Sequence, residues 1–231
     1  MHINGFFFLA VLVCLFASQL THAQRAGQEP HLAYAYPAGC QRGTTCEIIV
    51  GGQYLNTADE VFVAGDGVQA EVIRWYRPLT QGQYNDLRTK LRDAEERRAA
   101  EGRQPLSDEE LAELAGVTES ELREMKIYRQ RERDPRRQPN DQLIEEKTLR
   151  ITVDQDAALG KRELRLLTDD AISNPLWLHI GTWPEMRESE PNDVPPRSWD
   201  PDNQIVKLPV VINGQIMPGD VDCFSFEARQ G

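Results

Sequence analysis

The side chains best able to do chemistry in this sequence are oxygen-bearing groups near its end. Four of them lie within six positions around Pro191, which stiffens the backbone there, and two aspartates follow. The full set is Glu188, Glu190, Asn192, Asp193, Asp220 and Asp222. Calcium takes about six to eight oxygen ligands from carboxylates, amides and backbone carbonyls, so the set is a candidate calcium site. A solvated acidic linker, with Asp220 as an ordinary turn residue, accounts for the same composition.

Other chemistries find less support. Beyond the first 23 residues the histidines are His31 and His179, and His179 alternates outward on a predicted strand. The sequence has no Gly-x-Ser-x-Gly nucleophile motif, no Cys/His cluster of zinc-site type and no phosphate-binding glycine loop. We therefore predict a protein that is not an enzyme and has no catalytic residues.

The beginning of the chain predicts export. Residues 6–17 form an apolar run of about 12 residues, which is typical of a signal-peptide core and too short to span a bilayer. Small residues at Thr21 and Ala23 favour cleavage after Ala23, although Met1–Gly5 contains no Lys or Arg. A buried core helix is the alternative. We predict a signal peptide at 1–23, no transmembrane segment, and a periplasmic, cell-surface or extracellular location.

The net charge supports the same class. It is −11 at pH 7, which disfavours nucleic acid as a partner because such binding depends on Lys and Arg neutralising phosphates. The stretch from Leu111 to Met125 superficially resembles a DNA-reading helix-turn-helix, but the acidic balance and the predicted export oppose that function.

Three cysteines follow the predicted signal peptide: Cys40, Cys46 and Cys223. Export permits a disulfide, and Cys40 and Cys46 flank a predicted turn that lets them face each other. They form either a bridge or two reduced, partly buried thiols. Cys223 is then expected to be a small core residue.

Hydrophobic periodicity divides the chain into β and helical parts. Residues 31–78 and 149–180 alternate as strands do, whereas about 79–146 is rich in Glu, Arg, Ala, Gln and Leu. The pattern predicts helices over 81–100, 108–115 and 119–133, with capping boxes at Ser107 and Glu110 and at Thr118 and Glu121. Pro135 and Pro139 end the helical stretch.

This order predicts a mainly β fold, an immunoglobulin-like β-sandwich with a helical-hairpin insertion, followed by the first strands of a second β-sandwich. The domains are then 1–23 signal peptide, 24–182 sandwich with the insertion, and 183–231 linker and start of the second domain. Residues 184–201 have the Pro-rich, acidic composition of a linker. Two later stretches, 207–212 and 221–228, read as strands, fewer than the roughly seven of a full sandwich.

Several turns carry a first family resemblance: Pro37-Ala38-Gly39, Gln41-Arg42-Gly43-Thr44, Gly51-Gly52-Gln53-Tyr54-Leu55, Gly160 to Arg165 and Ser173-Asn174-Pro175. With these residues the chain over 31–78 and 147–182 resembles the immunoglobulin-like (IPT/TIG-type) domains of bacterial cell-surface proteins. The helical insertion departs from that family.

A second resemblance lies in the last part. Its motifs are Glu188 to Asp193, Asn213-Gly214, Pro218 to Asp222 and Phe224-Ser225-Phe226. They are similar to the beginning of a bacterial pre-peptidase C-terminal (PPC) domain, an accessory β-sandwich of secreted hydrolases and surface proteins. The resemblance implies that the two acidic groups converge on a calcium ion.

Three functions are consistent with these features. The first is a secreted or cell-surface accessory module with a calcium-stabilised junction, whose partner is an extracellular protein or polysaccharide. The second is a carbohydrate- or matrix-binding module that uses aromatic platforms. The third is a non-catalytic fragment of a larger secreted hydrolase. The candidate platforms are Trp75, Tyr76, Trp177, Trp183 and Trp199, of which we expect Trp75 and Trp177 to pack in the core or rim and Trp183 and Trp199 to be exposed.

Overall fold

A computed structural model describes residues 29–135, 140–195 and 205–229. These residues form twelve strands, three α-helices and one short 3-10 helix, so the fold is mixed α and β with strands predominating. The predicted signal peptide at 1–23 and Trp199 lie outside the described residues. No described helix has both the length and the apolar character needed to cross a membrane.

The bounds of the longer strands follow the alternation of apolar and polar residues in the sequence. They are β1 His31–Tyr36, β2 Gly39–Gln41, β3 Thr45–Gln53, β4 Glu60–Val63, β5 Val68–Tyr76, β6 Glu145–Val153, β7 Gly160–Leu167, β8 Leu176–Gly181, β9 Glu185–Arg187, β10 Ile205–Val206, β11 Val211–Asn213 and β12 Ser225–Phe226. In β6 every second side chain is buried, the period expected of a strand with one face on a core.

Two four-stranded sheets form the main body. The first has the order β1-β3-β6-β5 with antiparallel pairing throughout, and the second has the order β2-β8-β7-β4 with β2 and β8 parallel. Both sheets contribute to one hydrophobic cluster. Its largest members include Ile48, Val50, Leu149 and Ile151 from the first sheet and Leu164, Leu166, Leu178 and Ile180 from the second. Strands before and after the insertion therefore share a core.

The helices are α1 Gln81–Ala100, α2 Asp108–Ala115 and α3 Glu119–Arg133, and they confirm the three predicted ranges. Each begins with a capping box, at Thr80, Ser107 and Thr118. They share a second, smaller core formed by Leu87, Ala112, Val117, Leu122 and Met125. Because β5 and β6 are antiparallel neighbours, the insertion is the long connection of a single hairpin.

The segment predicted to be a linker contains a strand, so this prediction was partly wrong. Glu185–Arg187 forms β9 and pairs in parallel with Val211–Asn213, β11. The later predicted strands are also shorter, since only Ile205–Val206, Val211–Asn213 and Ser225–Phe226 are strands. Leu208-Pro209 separates β10 from β11, because proline cannot donate to a strand ladder.

Candidate metal centre

One asparagine fixes the C-terminal segment against the main body. The Asn213 Nδ2 donates to Glu185 Oε2 at 2.6 Å and to the Met186 carbonyl at 3.4 Å, while its Oδ1 accepts from Ala38 N at 3.0 Å. The Asn213 carbonyl accepts from Glu188 N at 2.9 Å. One side chain thus joins β9, β11 and the turn before β2.

Tyr36 and Arg187 also hold the C-terminal segment against the main body. The Tyr36 hydroxyl donates to the Asn213 carbonyl at 3.0 Å, and Arg187 donates to the carbonyls of Tyr36 and Glu47 at 3.3 and 2.8 Å. The Arg187 guanidinium also lies over the Tyr36 ring, 5.4 Å from its centroid. The residue that follows Arg187 is therefore held in a defined place.

That residue, Glu188, belongs to a group of three carboxylates. One oxygen each from Glu188, Glu190 and Asp222 lies within 4.8 Å of the others, with Glu188 and Asp222 half-buried and Glu190 exposed. A backbone hydrogen bond from Cys223 N to the Asn192 carbonyl, 3.1 Å long, holds the two chain segments together. Three carboxylates this close to one another could hold a metal ion.

Several oxygens around this group are shielded from solvent. The Glu188 Oε1 accepts from Gln215 N, but no hydrogen-bond donor among the described residues reaches Glu188 Oε2, Asp222 Oδ1 or Asn192 Oδ1. Shielded acceptors without donors are rare in folded proteins and call for a bound water or ion. Oxygen donors of this kind fit a hard cation such as calcium or magnesium.

Gly214 leaves the room that these oxygens occupy. A Cβ atom at this position would lie 2.6 Å from Glu188 Oε2 and 3.3 Å from Asp222 Oδ2. A side chain there would displace the carboxylates. The Asn213-Gly214 pair, one of the motifs of the second family resemblance, therefore both fixes and accommodates the acidic group.

Only some of the six predicted ligands lie in the three-carboxylate group or beside it. Glu188, Glu190 and Asp222 come together, and Glu190 Oε2 accepts from Asn192 N at 3.0 Å, which puts Asn192 beside them. Asp220 Oδ2 instead accepts from Met217 N at 3.0 Å, within a turn that the Asp220 N–H also closes. Asp193 is half-buried and, like Asp220, lies outside the three-carboxylate group.

The negative charge of the three-carboxylate group affects the pKa of Tyr36. Burial is the main cause that raises the pKa of its phenol, and the nearby Glu188 carboxylate raises it further. Sequence reasoning missed Tyr36 and Gln215 at this site, because each acts through a long-range hydrogen bond that involves a backbone group and no local pattern marks.

The other predicted sites have mixed outcomes. Cys40 and Cys46 form a disulfide with Cα atoms 6.1 Å apart, the first of the two alternatives that the sequence left open, and the bridge is consistent with an oxidising, extracytoplasmic location. Cys223 is half-buried and outside that bridge. His31 and His179 are both exposed and lie in different sheets.

The tryptophan predictions need a correction. Trp75 and Trp177, expected to pack, are 41% and 58% exposed. Trp177 alternates with Leu176 and Leu178, which pack on the core. At Trp75 the register of β5 shifts between Val72 and Arg74, and residues 73–75 are all exposed. Trp183 is 52% exposed, as predicted.

Comparison with known proteins adds no family assignment. No protein-family model matches this chain, and no curated protein matches it.

Proposed function

We propose that this protein is an exported, non-catalytic binding or accessory module in which a calcium ion fixes the C-terminal segment to an immunoglobulin-like β-sandwich. The ion would bind between Glu188, Glu190 and Asp222, with Asn192 beside them. Its role is structural: it holds the segment that follows the sandwich in one orientation, so that surfaces on the two parts act together on an extracellular partner.

The observation that carries this proposal is the shielded, donor-free state of Glu188 Oε2 and Asp222 Oδ1 within the group of three carboxylates. Like charges this close repel one another, and partial burial strengthens the repulsion. A divalent cation removes that repulsion and satisfies the oxygens. Calcium is preferred over magnesium because its coordination is flexible, whereas magnesium demands near-ideal octahedral geometry.

The main body supports the sandwich assignment within the proposal. Two four-stranded sheets share one core, and the helices leave the body through a single hairpin connection. The Cys40–Cys46 disulfide supports export.

The test is thermal unfolding of the purified protein after chelator treatment, with and without added calcium. A cation that binds only the folded state at a hundredfold excess over its Kd stabilises by about 2.7 kcal/mol, which is about 5–10 °C in Tm for a chain of this size. Glu188→Gln and Asp222→Asn should each remove most of that rise. The matched control is Glu227→Gln, an exposed carboxylate on the same segment, which should keep it.

Two outcomes would count against the proposal. An unchanged Tm in calcium would mean that the carboxylates hold no cation. A rise that survives both Glu188→Gln and Asp222→Asn would place the cation elsewhere in the molecule.

A further inference from the structure

A second site lies at the base of the helical insertion. There a cavity of about 770 Å³ opens between the end of the first sheet and helices α1 and α3. We call it the insertion cleft. Its lining includes Tyr54, Asn56, Trp75, Arg77, Gln81 and Arg131. The volume falls within the range of about 300–1,000 Å³ typical of small-ligand sites.

Two aromatic rings offer surfaces to this cleft. Tyr54 and Trp75 line the cleft and are 40% and 41% exposed, so part of each side chain is open to solvent. Tyr54 has a φ of 57°, a left-handed conformation that a bulky residue seldom adopts. Such a conformation persists only where the surrounding structure imposes it, and it is often found at functional positions.

The Trp75 ring is held in place by a buried acid. Glu145 is 6% exposed, and its Oε2 accepts from Trp75 Nε1 at 3.2 Å and from Leu55 N at 2.8 Å. Its Oε1 lies 3.9 Å from the Arg77 guanidinium. The indole edge is therefore fixed by hydrogen bonding.

The opposite wall is also ordered. Tyr128 stacks on Tyr84 with ring centroids 4.4 Å apart, and the Arg131 guanidinium lies 5.2 Å from the Tyr128 centroid. Arg131 donates to the Leu79 carbonyl at 3.0 Å, while its Nε is shielded from solvent and has no acceptor among the described residues.

The charges in the cleft are balanced. The lining contains two arginines, Arg77 and Arg131, and two glutamates, Glu132 and Glu145, so it favours neither a polyanion nor a cation. Stacking faces combined with planar amide and guanidinium groups suit a ligand that has C–H faces and hydroxyl edges. That is the chemistry of a neutral oligosaccharide.

We propose that the insertion cleft binds a neutral oligosaccharide, with Tyr54 and Trp75 as stacking surfaces and Arg77, Gln81 and Arg131 as hydrogen-bond donors. This inference deepens the proposed binding function by naming the class of partner. It does not depend on the cation. Glu47 contacts the junction and Gln53 lines the cleft, and these residues are about 20 Å apart along β3.

The test is calorimetric titration of the full chain with cellohexaose, chitohexaose, mannohexaose and maltohexaose, with tryptophan fluorescence as a second readout. We expect saturable binding of at least one of these. Trp75→Ala should weaken it about thirtyfold, the effect of losing a stacking contact of hot-spot size. Trp177→Ala removes a more exposed indole on β8 of the other sheet and should leave the affinity unchanged.

A second variant guards against misfolding of Trp75→Ala. Tyr54→Gly removes the phenol ring at a position whose φ glycine adopts without strain, so it should lose affinity while the Tm is retained. No binding to any of the four sugars overturns the inference, as does binding that Tyr54→Gly leaves intact. Tighter binding of a heparin hexasaccharide would overturn the neutral class.

The two proposals fail separately. If the calcium-dependent rise in Tm persists but no sugar binds, the cleft inference is wrong and the cation proposal stands. If sugar binds equally well in calcium and in chelator, and calcium leaves the Tm unchanged, only the cation proposal is lost.

Discussion

Asn213 and Glu185 are joined by a 2.6 Å hydrogen bond from the amide Nδ2 to the carboxylate Oε2, across the parallel pair β9 and β11. The same amide accepts from Ala38 N, so a single side chain links a two-stranded sheet to the main body. Hydrogen bonds to a charged group are stronger than neutral ones, and a two-stranded pair this short has little other stabilisation. The carboxylates of the candidate metal centre are placed by this junction.

Asn213→Ala should therefore loosen the junction. The change leaves Ala38 N and the Glu185 carboxylate without their partner, and we expect a loss of about 2 kcal/mol in the free energy of unfolding. Urea unfolding measures the loss, and limited proteolysis should show faster cleavage near residue 190. Gln215→Ala, an exposed neighbour, is the control and should behave as wild type. Equal stability of the two variants would show that the Asn213 amide does not hold the junction.

The Cys40–Cys46 bridge should contribute measurably to stability. It closes a short loop with a sequence separation of 6, for which chain entropy predicts about 2 kcal/mol. The double variant Cys40→Ala/Cys46→Ala should lose about that much, and dithiothreitol should lower the Tm of wild type but not of the variant. Cys223→Ala should keep the sensitivity to dithiothreitol. A wild-type Tm that is the same with and without reductant would contradict the prediction.

The helices could be predicted closely because their signals are local. Ser107 and Thr118 each meet a glutamate three residues later, and the caps appear where that spacing places them. The longer strands of the main body could also be predicted, since the alternation of apolar and polar residues is visible without knowledge of the partner strand. Trp177 is a position where the alternation predicts the outcome better than residue type does. It shares the outward face of β8 with His179, so the alternation that predicted an exposed histidine also predicts an exposed indole.

For the candidate metal centre, the sequence predicts which residues could be ligands but does not predict which of them come together. The acidic motif is visible in the sequence, but the convergence of Glu188 with Asp222 depends on the pairing of β9 with β11 and on the bond from Cys223 N to Asn192. Strand Glu185–Arg187 is three residues long in a Pro-rich segment, and no local pattern marks it. Long-range pairing of short strands leaves too little periodicity to read.

Lys147 on β6 is a cation whose side chain is buried and whose ammonium group has two polar partners. Its side chain is 2% exposed, and its Nζ reaches the Asn56 carbonyl and Asp59 Oδ1, each at 3.2 Å, where Asp59 is 82% exposed. Lys147→Ala should lower the free energy of unfolding by about 2–3 kcal/mol because it removes a buried aliphatic stem. Lys147→Met should stay within about 1 kcal/mol of wild type, since water can solvate the exposed partners.

The measurement for Lys147 is urea unfolding, with Lys161→Ala on an exposed position of β7 as the control. If Lys147→Met is as destabilising as Lys147→Ala, the ammonium group and its ion pair, rather than the stem, stabilise this end of β6.

Tyr76 should give the contact between the insertion and the first sheet a dependence on alkaline pH. Its hydroxyl donates to Glu124 Oε2 at 2.9 Å, and burial, then the hydrogen bond to Glu124, raises its pKa from 10.0 to about 12. Because the pKa is higher in the folded state, the stabilisation is complete below the unfolded value and is lost as the pH rises from 10 to about 12.

Tyr76→Phe lacks the titrating hydroxyl. The difference in free energy of unfolding between wild type and Tyr76→Phe should therefore be constant up to pH 10 and shrink towards pH 12. The corresponding difference for Tyr54→Phe, at an exposed tyrosine, is the reference curve. A Tyr76 difference that does not change across this window would mean that the phenol does not keep its bond to Glu124 in solution.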